Sequence, residues 1–355
     1  RTKPSRLVLP SSASTPPDIL ISSLFHYKFE TMSTSRAPLT YSILSLENAQ
    51  STNAIMSHYA DSDLFIKLSK SEGDLILTRD QEDATKLQVG IDYAKEKGVI
   101  DKDYVPEKYI TVDVLGKSPD EVSDEILGYL EAGDDGKGSV IVICGLSGTG
   151  KGTTVAKISQ KLKENEGKDV VCWSNGNIFR SVTLLAATWC EQNGDGSFDA
   201  EKALTKENLA DFINMLSFGK FNGKFDTRIN GLGLDLLVSE VQNTELKAPK
   251  VAKNIPTVAQ VTQGEVIIFA DKAIQLMGAD GIFVLLEGRE QTVDYVRTPH
   301  RFILTLSDES LIGKRRAAQR LMAGALKELK DGAEDGEVLT ALDGQLAKMV
   351  EEVGN

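Results

Sequence analysis

The sequence predicts an α/β fold in which a doubly wound parallel sheet carries helices on both faces. Three observations lead to this prediction. Short β-branched apolar runs alternate with segments of helical periodicity over much of the chain. One of these runs leads through a glycine-rich loop directly into a helical segment. A further group of short runs joined by Asn-Gly turns predicts a small strand-rich insert.

Composition, net charge and cysteine spacing argue against several classes of protein. The chain has 355 residues, of which 41% are hydrophobic and 26% charged, as is typical of globular proteins. A net charge of -12 argues against nucleic-acid binding, and no apolar run is long enough to span a bilayer. The three cysteines match no metal or C-x-x-C spacing, which favours a reducing compartment. We therefore expect a cytoplasmic protein with neither nucleic-acid nor membrane partners, and its oligomeric state stays open.

The start of the chain differs in composition from the rest. Residues 1–38 are rich in Ser, Thr and Pro and poor in acidic residues. This composition is typical of a disordered tail and also of a targeting remnant that would direct the protein to an organelle. Both interpretations stay open.

Residues 39–135 predict an α+β region of unknown role. The segments DLFIKLS and DLILTR predict two short strands around the turn KSEGD, and EDATKLQVGIDYAKEKGVI predicts a helix. The segment KYITVDVLG predicts a strand, and a helix follows it with Ser118 as N-cap, Pro119 in its first position and Glu121 completing a capping box. The polar stretch EAGDDGKGS predicts a domain boundary, so that residues 136–355 form a second domain.

The most informative stretch is VIVICGLSGTGKGTT, which starts at Val140. Val140 to Cys144 predicts a buried parallel strand, and a helical pattern runs from Lys151 to Lys163. Between them, G-x-x-x-x-G-K is typical of a loop whose backbone N–H groups and lysine bind the phosphates of a nucleoside triphosphate. The predicted ATP-binding residues are Gly145, Leu146, Ser147, Gly148, Thr149, Gly150, Lys151, Gly152 and Thr153. Gly152 occupies the position after the lysine, where a Ser or Thr side chain commonly helps to hold Mg²⁺.

The rest of the chain continues the alternation. Val170 to Trp173 predicts the next strand, and a helix from about Ile178 to Cys190 follows it. The insert spans about 191–262. Beyond it the sequence predicts a helix, two parallel strands at Ile282–Leu286 and Phe302–Leu306, a basic helix and a final helix.

Candidate site residues follow the predicted strands, at the sheet edge where open α/β sheets bind ligands. Ser174 and Arg180 follow the second strand, and Glu287 and Arg289 follow the apolar run FVLL. Arginine suits a phosphate clamp because its planar fork binds two oxygens. The basic helix holds Arg315, Arg316 and Arg320, of which Arg316 and Arg320 share a face and could close as a lid. For Arg180 and the basic helix, ordinary surface ion pairing is an equally good interpretation.

These residues resemble nucleoside monophosphate kinases, most closely the cytidylate kinase family. GLSGTGKGTTVAKISQKL is similar to the family's loop, SNGNIFRSVTLLA to its acceptor segment, LLEGRE to its Asp-Gly-Arg-Asp, and FILTLSDESLIGKRRAAQRL to its next strand and lid helix. In that family Gly follows the lysine and Thr comes next, so Gly152 marks a subtype.

The resemblance assigns roles to this chain's residues. It implies an ATP- and Mg²⁺-dependent transfer to a small phosphorylated acceptor, with CMP, dCMP or UMP favoured. Lys151, Arg180 and Arg289 would be catalytic, and Ser174, Phe179, Arg180 and Arg289 would bind the acceptor. Thr153 and Glu287 would order the metal, and Arg316 and Arg320 would contact ATP.

The chain also departs from the family. It lacks the family's later Arg-Asp-x-x-Asp-x-x-Arg segment, and the corresponding region KDGAEDGEVLTALDGQ contains no arginine. Two alternatives therefore stay open. One is a non-catalytic ATP-binding module whose working part is the N-terminal region, and the other is a kinase for a different small acceptor.

Overall fold

A five-stranded parallel sheet organises the computed structural model, which describes residues 39–130 and 138–354. Its strands are β1 (Ile110–Asp113), β2 (Val140–Gly145), β3 (Val170–Trp173), β7 (Phe283–Glu287) and β8 (Arg301–Thr305). Their order is β1-β8-β2-β7-β3. The strand that leads into the glycine loop, β2, is thus central, and the carboxyl ends of all five strands meet at one edge. The two predicted strands after the insert are confirmed as β7 and β8.

Both faces of the sheet are covered, as a doubly wound fold requires. Ile141 and Ile143 of β2 point to one face, where they share a core with α4 (Pro119–Gly128) and α5 (Lys151–Glu166). Val142 and the buried Cys144 point to the opposite face. There they pack with α11 (Ile255–Ala279) and α12 (Glu290–Val293). This alternation explains why β2 reads as an unbroken apolar run.

The predicted strand-rich insert is confirmed. It follows α6 (Asn175–Asn193) and contains an antiparallel sheet of β4 (Leu216–Phe221), β5 (Lys224–Gly231) and β6 (Leu234–Leu237). Asn222 and Gly223 form the β4–β5 turn with φ angles of 50° and 79°. The remaining elements of the insert are short helices: α7 (Ala200–Ala203), α8 (Lys206–Asn214), α9 (Val238–Val241), a 3₁₀ turn (Glu245–Lys247) and α10 (Pro249–Ala252).

The remaining helices form a second core beside the sheet. They are α1 (Tyr41–Leu44), α2 (Ala49–His58), α3 (Asp63–Glu96), α13 (Ser310–Glu328) and α14 (Asp335–Gly354). Their shared apolar cluster includes Ile55, Leu68, Leu321 and Leu342.

The prediction of two strands at DLFIKLS and DLILTR is wrong. Both segments lie within α3, a continuous helix of 34 residues. Gly73, expected in a turn, instead lies where α3 crosses α13: a Cβ on Gly313 would come within 2.0 Å of the Ser69 carbonyl oxygen and 3.0 Å of the Gly73 Cα. The glycines therefore permit close helix packing. The predicted helix EDATKLQVGIDYAKEKGVI is confirmed in large part as the second half of α3.

The region 39–135 contributes directly to the main sheet. Its predicted strand is confirmed as β1, which pairs in parallel with β8 so that Ile110 lies opposite Phe302. The predicted capping box of α4 is also present, with Ser118 and Glu121 bonded reciprocally. The boundary expected at EAGDDGKGS therefore does not separate two sheets, although residues 131–137 and the segment 1–38 lie outside the described residues. Among the described helices, none is both long and apolar enough to cross a membrane.

Candidate functional site

The loop between β2 and α5 has a backbone shape that depends on its glycines. Gly145, Gly148 and Gly150 all adopt positive φ angles, of 135°, 86° and 87°. At Gly145 a side chain is excluded twice, because a Cβ would also lie 2.3 Å from the Leu304 carbonyl oxygen. Gly150 is the N-cap of α5 and has no side chain to cap the helix. The first N–H groups of α5 are therefore not capped by that residue, which leaves a helix start suited to an anion.

Lys151 lies folded back under the loop. Its Nζ donates hydrogen bonds of 2.9 Å to the carbonyl oxygens of Gly145 and Leu146. Burial lowers the pKa of the Lys151 ammonium and nearby Arg289 lowers it further, while Asp80 and Glu287 act in the opposite direction. Thr149 is buried, and its Oγ1 donates to Leu146 O at 2.8 Å. The Thr149 side chain therefore braces the loop from inside.

The two predicted metal-binding residues both lie near the start of α5. Glu287 is the exposed last residue of β7, and its Oε2 lies 3.5 Å from where a Cβ on Gly152 would be. Thr153 is exposed in the first turn of α5. In the described part of the chain, no group of three or more His, Cys, Asp and Glu residues is arranged to hold a metal. One exposed carboxylate near a hydroxyl fits a Mg²⁺ ion that takes its other ligands from phosphate and water.

The predicted acceptor residues lie at the end of β3. Ser174 is the exposed N-cap residue of α6, and Arg180 lies on the same side of the helix, because a Cβ on Gly176 would contact both side chains at 3.2–3.3 Å. Arg180 Nη1 donates to Asn177 Oδ1 at 3.1 Å, and Asn177 in turn donates to Gln242 of the insert at 3.3 Å. Phe179 packs against the insert's apolar cluster, which gives it a packing role.

Arg289, expected to meet the acceptor phosphate, is held by two carboxylates of α3. Its Nη2 lies 2.9 Å from Asp80 Oδ1 and 2.9 Å from Asp83 Oδ2. Asp80 also contacts the loop itself. It accepts hydrogen bonds from the Ser147 backbone N–H at 2.6 Å and from Ser147 Oγ at 2.7 Å. A buried carboxylate thus bridges the glycine loop and the predicted acceptor arginine.

The arginines of α13 divide between the loop and α3. Arg315 reaches the loop, with Nη1 3.4 Å from the Gly148 carbonyl oxygen. Arg320 instead pairs with the buried Glu72 of α3, and the exposed Arg316 lies 3.9 Å from the same carboxylate. The pair expected to contact ATP therefore faces α3, and the neighbouring Arg315 is the one that touches the loop.

Asp80, Asp83 and Glu72 are functional candidates that sequence reasoning missed. For Glu72 and Asp80 the cause is the wrong strand-and-turn prediction, which hid the helical face on which they lie. Asp83 lies in the segment that was predicted as a helix, but its partner Arg289 is far away in sequence. A helical signal does exist: Phe65, Leu68, Glu72, Asp80, Ile91 and Ala94 are buried at spacings that fit one face of a helix. Two of these buried residues, Glu72 and Asp80, are acidic, so the periodicity of apolar residues alone does not reveal the buried face of α3.

No family model matches this chain, and no curated protein matches it either. The site is therefore interpreted from its own geometry. That geometry brings the glycine loop, an exposed carboxylate and the Ser174–Arg180 pair to the same edge of the parallel sheet, where Asp80 and Asp83 of α3 pair with Arg289.

Proposed function

We propose that the chain binds ATP at Gly145–Thr153 and transfers its γ-phosphoryl group to a nucleoside monophosphate, with CMP, dCMP or UMP favoured. The observation that carries the proposal is the loop itself. Its glycines have left-handed φ angles, Lys151 lies beneath it, and α5 begins at a glycine, all at the carboxyl end of the central strand. This combination favours a bound triphosphate over a surface turn.

Phosphoryl transfer requires that the two substrates are positioned and that positive charge lies around the phosphates. An oxygen of the acceptor phosphate attacks the γ-phosphorus while the bond from that phosphorus to the β,γ-bridging oxygen breaks, and ADP leaves with that electron pair. In this proposal Lys151 exchanges its bonds to loop carbonyls for bonds to the phosphates. Glu287 and Thr153 would hold Mg²⁺, which supplies charge neutralisation between the phosphates.

The acceptor would lie at the end of β3, between the loop and the insert. Ser174 and Arg180 are the residues that support this location, since they lie on one side of α6 and Arg180 donates to a neutral amide, Asn177. An arginine bound to an amide keeps its charge available for a phosphate. Arg289 would join it only after its bonds to Asp80 and Asp83 open.

One observation favours a second candidate, a non-catalytic ATP-binding module. Two of the arginines assigned to phosphates, Arg289 and Arg320, are paired with acids of α3. In that case α3 would report nucleotide binding and no acceptor would bind. Because the chain lacks the family's C-terminal arginine segment, a kinase for another small acceptor is the third candidate.

A screen of phosphate acceptors tests these candidates. ADP formation is measured with ATP and each nucleoside monophosphate, with and without Mg²⁺, against ATP alone as the background. We expect Mg²⁺-dependent ADP formation above background with CMP, dCMP or UMP. ATP binding without turnover on any monophosphate would favour the module, and turnover only with other small acceptors would favour the third candidate.

A further inference from the structure

Three acidic side chains of helix α3 contact residues that the sequence predicts to bind phosphate. Glu72, Asp80 and Asp83, together called the acidic face, each bond to a residue that sequence reasoning assigned to phosphate binding. Glu72 pairs with Arg320, Asp83 with Arg289, and Asp80 with both Arg289 and Ser147. The acidic face thus places negative charge against these predicted phosphate-binding residues.

The environment of Asp80 is that of a bound anion. Its side chain is only 3% exposed and accepts bonds from a loop N–H, a hydroxyl and a guanidinium. Burial raises the pKa of the Asp80 carboxyl, but the bonds from Arg289 and Ser147 outweigh that effect and bring it to about 2. The group is therefore a carboxylate at neutral pH, and its donors are the kinds that phosphate oxygens use in such loops.

Helix α3 packs closely against other helices near both of its ends. Near the start, Ser69 meets Gly313 of α13 so closely that no side chain fits there. Near the end, a Cβ on Gly264 of α11 would come within 2.5 Å of Ala94 Cβ. Between them, Ile76 and Leu77 pack against the apolar core of the sheet, while the contacts of Asp80 and Asp83 with the site are polar. A ligand can thus displace these carboxylates by side-chain movement while α3 stays docked.

We infer that the acidic face of α3 is an autoinhibitory contact, in which Asp80 occupies an anion position of the loop until a polyphosphate displaces it. The inference rests on the proposed function, since it takes the loop to be a phosphate site. Binding of a triphosphate breaks the Asp80–Ser147 bonds and releases Arg289 toward the acceptor. Occupation of the loop therefore switches on the acceptor cation.

Binding of a phosphate probe to the full chain tests this inference. Inorganic tripolyphosphate and ATP are titrated into the parent protein and into Asp80→Asn, by calorimetry. The amide keeps the shape of the side chain and removes its charge. We expect the apparent Kd to fall on the order of tenfold in Asp80→Asn, within the usual range for two coupled binding events. Asp74→Asn, an equal change on the exposed side of the same helix, is expected to leave the Kd unchanged.

A second variant covers the case in which Asp80→Asn does not fold. Asp83 is 42% exposed and contacts Arg289 but not the loop. Asp83→Asn is expected to tighten tripolyphosphate binding by a smaller factor than Asp80→Asn. Equal or weaker binding in the folded acidic-face variants, relative to the parent and Asp74→Asn, would overturn the inference. Weaker binding specific to ATP with Mg²⁺ would also overturn it, because Asp80 would then be part of the binding site.

The result is separable from the proposed function. Tighter tripolyphosphate binding in the variants supports the autoinhibitory contact even if no monophosphate is phosphorylated. Measurable transfer with unchanged affinity in the variants overturns the contact and leaves the kinase proposal in place. No binding of either probe to any protein would overturn the contact, and the acceptor screen then decides the kinase proposal separately.

Discussion

At the scale of single residues, the loop binds two side chains of opposite charge. Lys151 is drawn under the loop by two carbonyl oxygens, and Asp80 is drawn onto it by Ser147. Both are charged groups, of which Asp80 is buried and Lys151 is partly buried. Each is stabilised by bonds that a phosphate would replace, so changes at these two positions should have large and opposite effects on anion binding.

Replacement of Lys151 by alanine should remove phosphoryl transfer and leave the fold intact. Among the described residues, its Nζ bonds to the loop carbonyls of Gly145 and Leu146, so little packing is lost. Loss of a charge that acts on the transferred phosphate costs on the order of a hundredfold in rate or more. Steady-state rates and circular dichroism measure the two effects. Lys163→Ala, at an exposed position of the same helix, should keep normal turnover, and normal turnover in Lys151→Ala would refute the assigned site.

Arg180 should act on the acceptor more than on ATP. Arg180→Ala should lower kcat/KM for the monophosphate about a hundredfold while the Kd for ATP stays close to that of the parent, because the residue lies at the β3 end of the sheet. Arg180→Lys should restore little, since a point charge lacks the planar fork. Arg297→Ala is the matched control, at an exposed position just ahead of β8 and thus at the opposite edge of the sheet. Equal losses in ATP affinity and turnover would place Arg180 in the ATP site.

Asp80 should make the stability of the fold depend on acid pH. Its pKa is lowered from 3.8 to about 2, so its contribution is complete above about pH 4 and is lost as pH falls toward 2. The shift corresponds to about 2 kcal/mol. Urea unfolding of the parent and of Asp80→Asn should differ by about this amount at pH 7 and converge near pH 2. A constant difference across that range would mean that Asp80 is not charged in the way described.

At the scale of elements, the sequence predicted best where apolar periodicity and turn chemistry agree. The strands β2, β3, β7 and β8 and the capped helix α4 were all foreseeable from local pattern. The first half of helix α3 was not, because its buried face holds Ser69, Glu72 and Asp80 in place of apolar residues. Its partners are the arginines and glycines of other elements, and no local pattern carries that information. The contacts of Asp80 with the loop were unpredictable for the same reason.

The crossing of α3 and α13 should be sensitive to a single methyl group. In Gly313→Ala the new Cβ would lie 2.0 Å from a backbone oxygen of Ser69, and helix backbones cannot separate without disturbing their shared core. Overpacking of this kind costs about 1–3 kcal/mol. Gly344→Ala in α14 meets open space and should instead be neutral or stabilising by up to about 1 kcal/mol. Urea unfolding of both variants measures the change in the free energy of unfolding. Equal changes in the two variants would mean that the crossing is flexible enough to accept the methyl group.

At the scale of the whole molecule, the N-terminal region is expected to be essential for stability. A shortened chain that starts at residue 138 would lose β1, leave β8 as an unprotected edge and expose the apolar cluster that α3 covers. We expect it to be insoluble or to melt without cooperativity. A chain that starts at Leu39 keeps every contact described above and should unfold like the full chain. If the chain from 138 is as stable and active as the parent, the region is an independent module.

The place of β1 in the sheet also affects how the protein is made. Among the described strands, β1 pairs with β8 alone, so Ile110 cannot pair until Phe302 has been synthesised. Ribosomes add about 5–20 residues per second, so roughly 10–40 s pass between the synthesis of these two strands. During that time the glycine loop and its lysine have already been made, while the edge beside them is incomplete. Assembly of this sheet edge is therefore delayed until nearly the whole chain has been translated, and the newly made N-terminal strand is a natural client for chaperones.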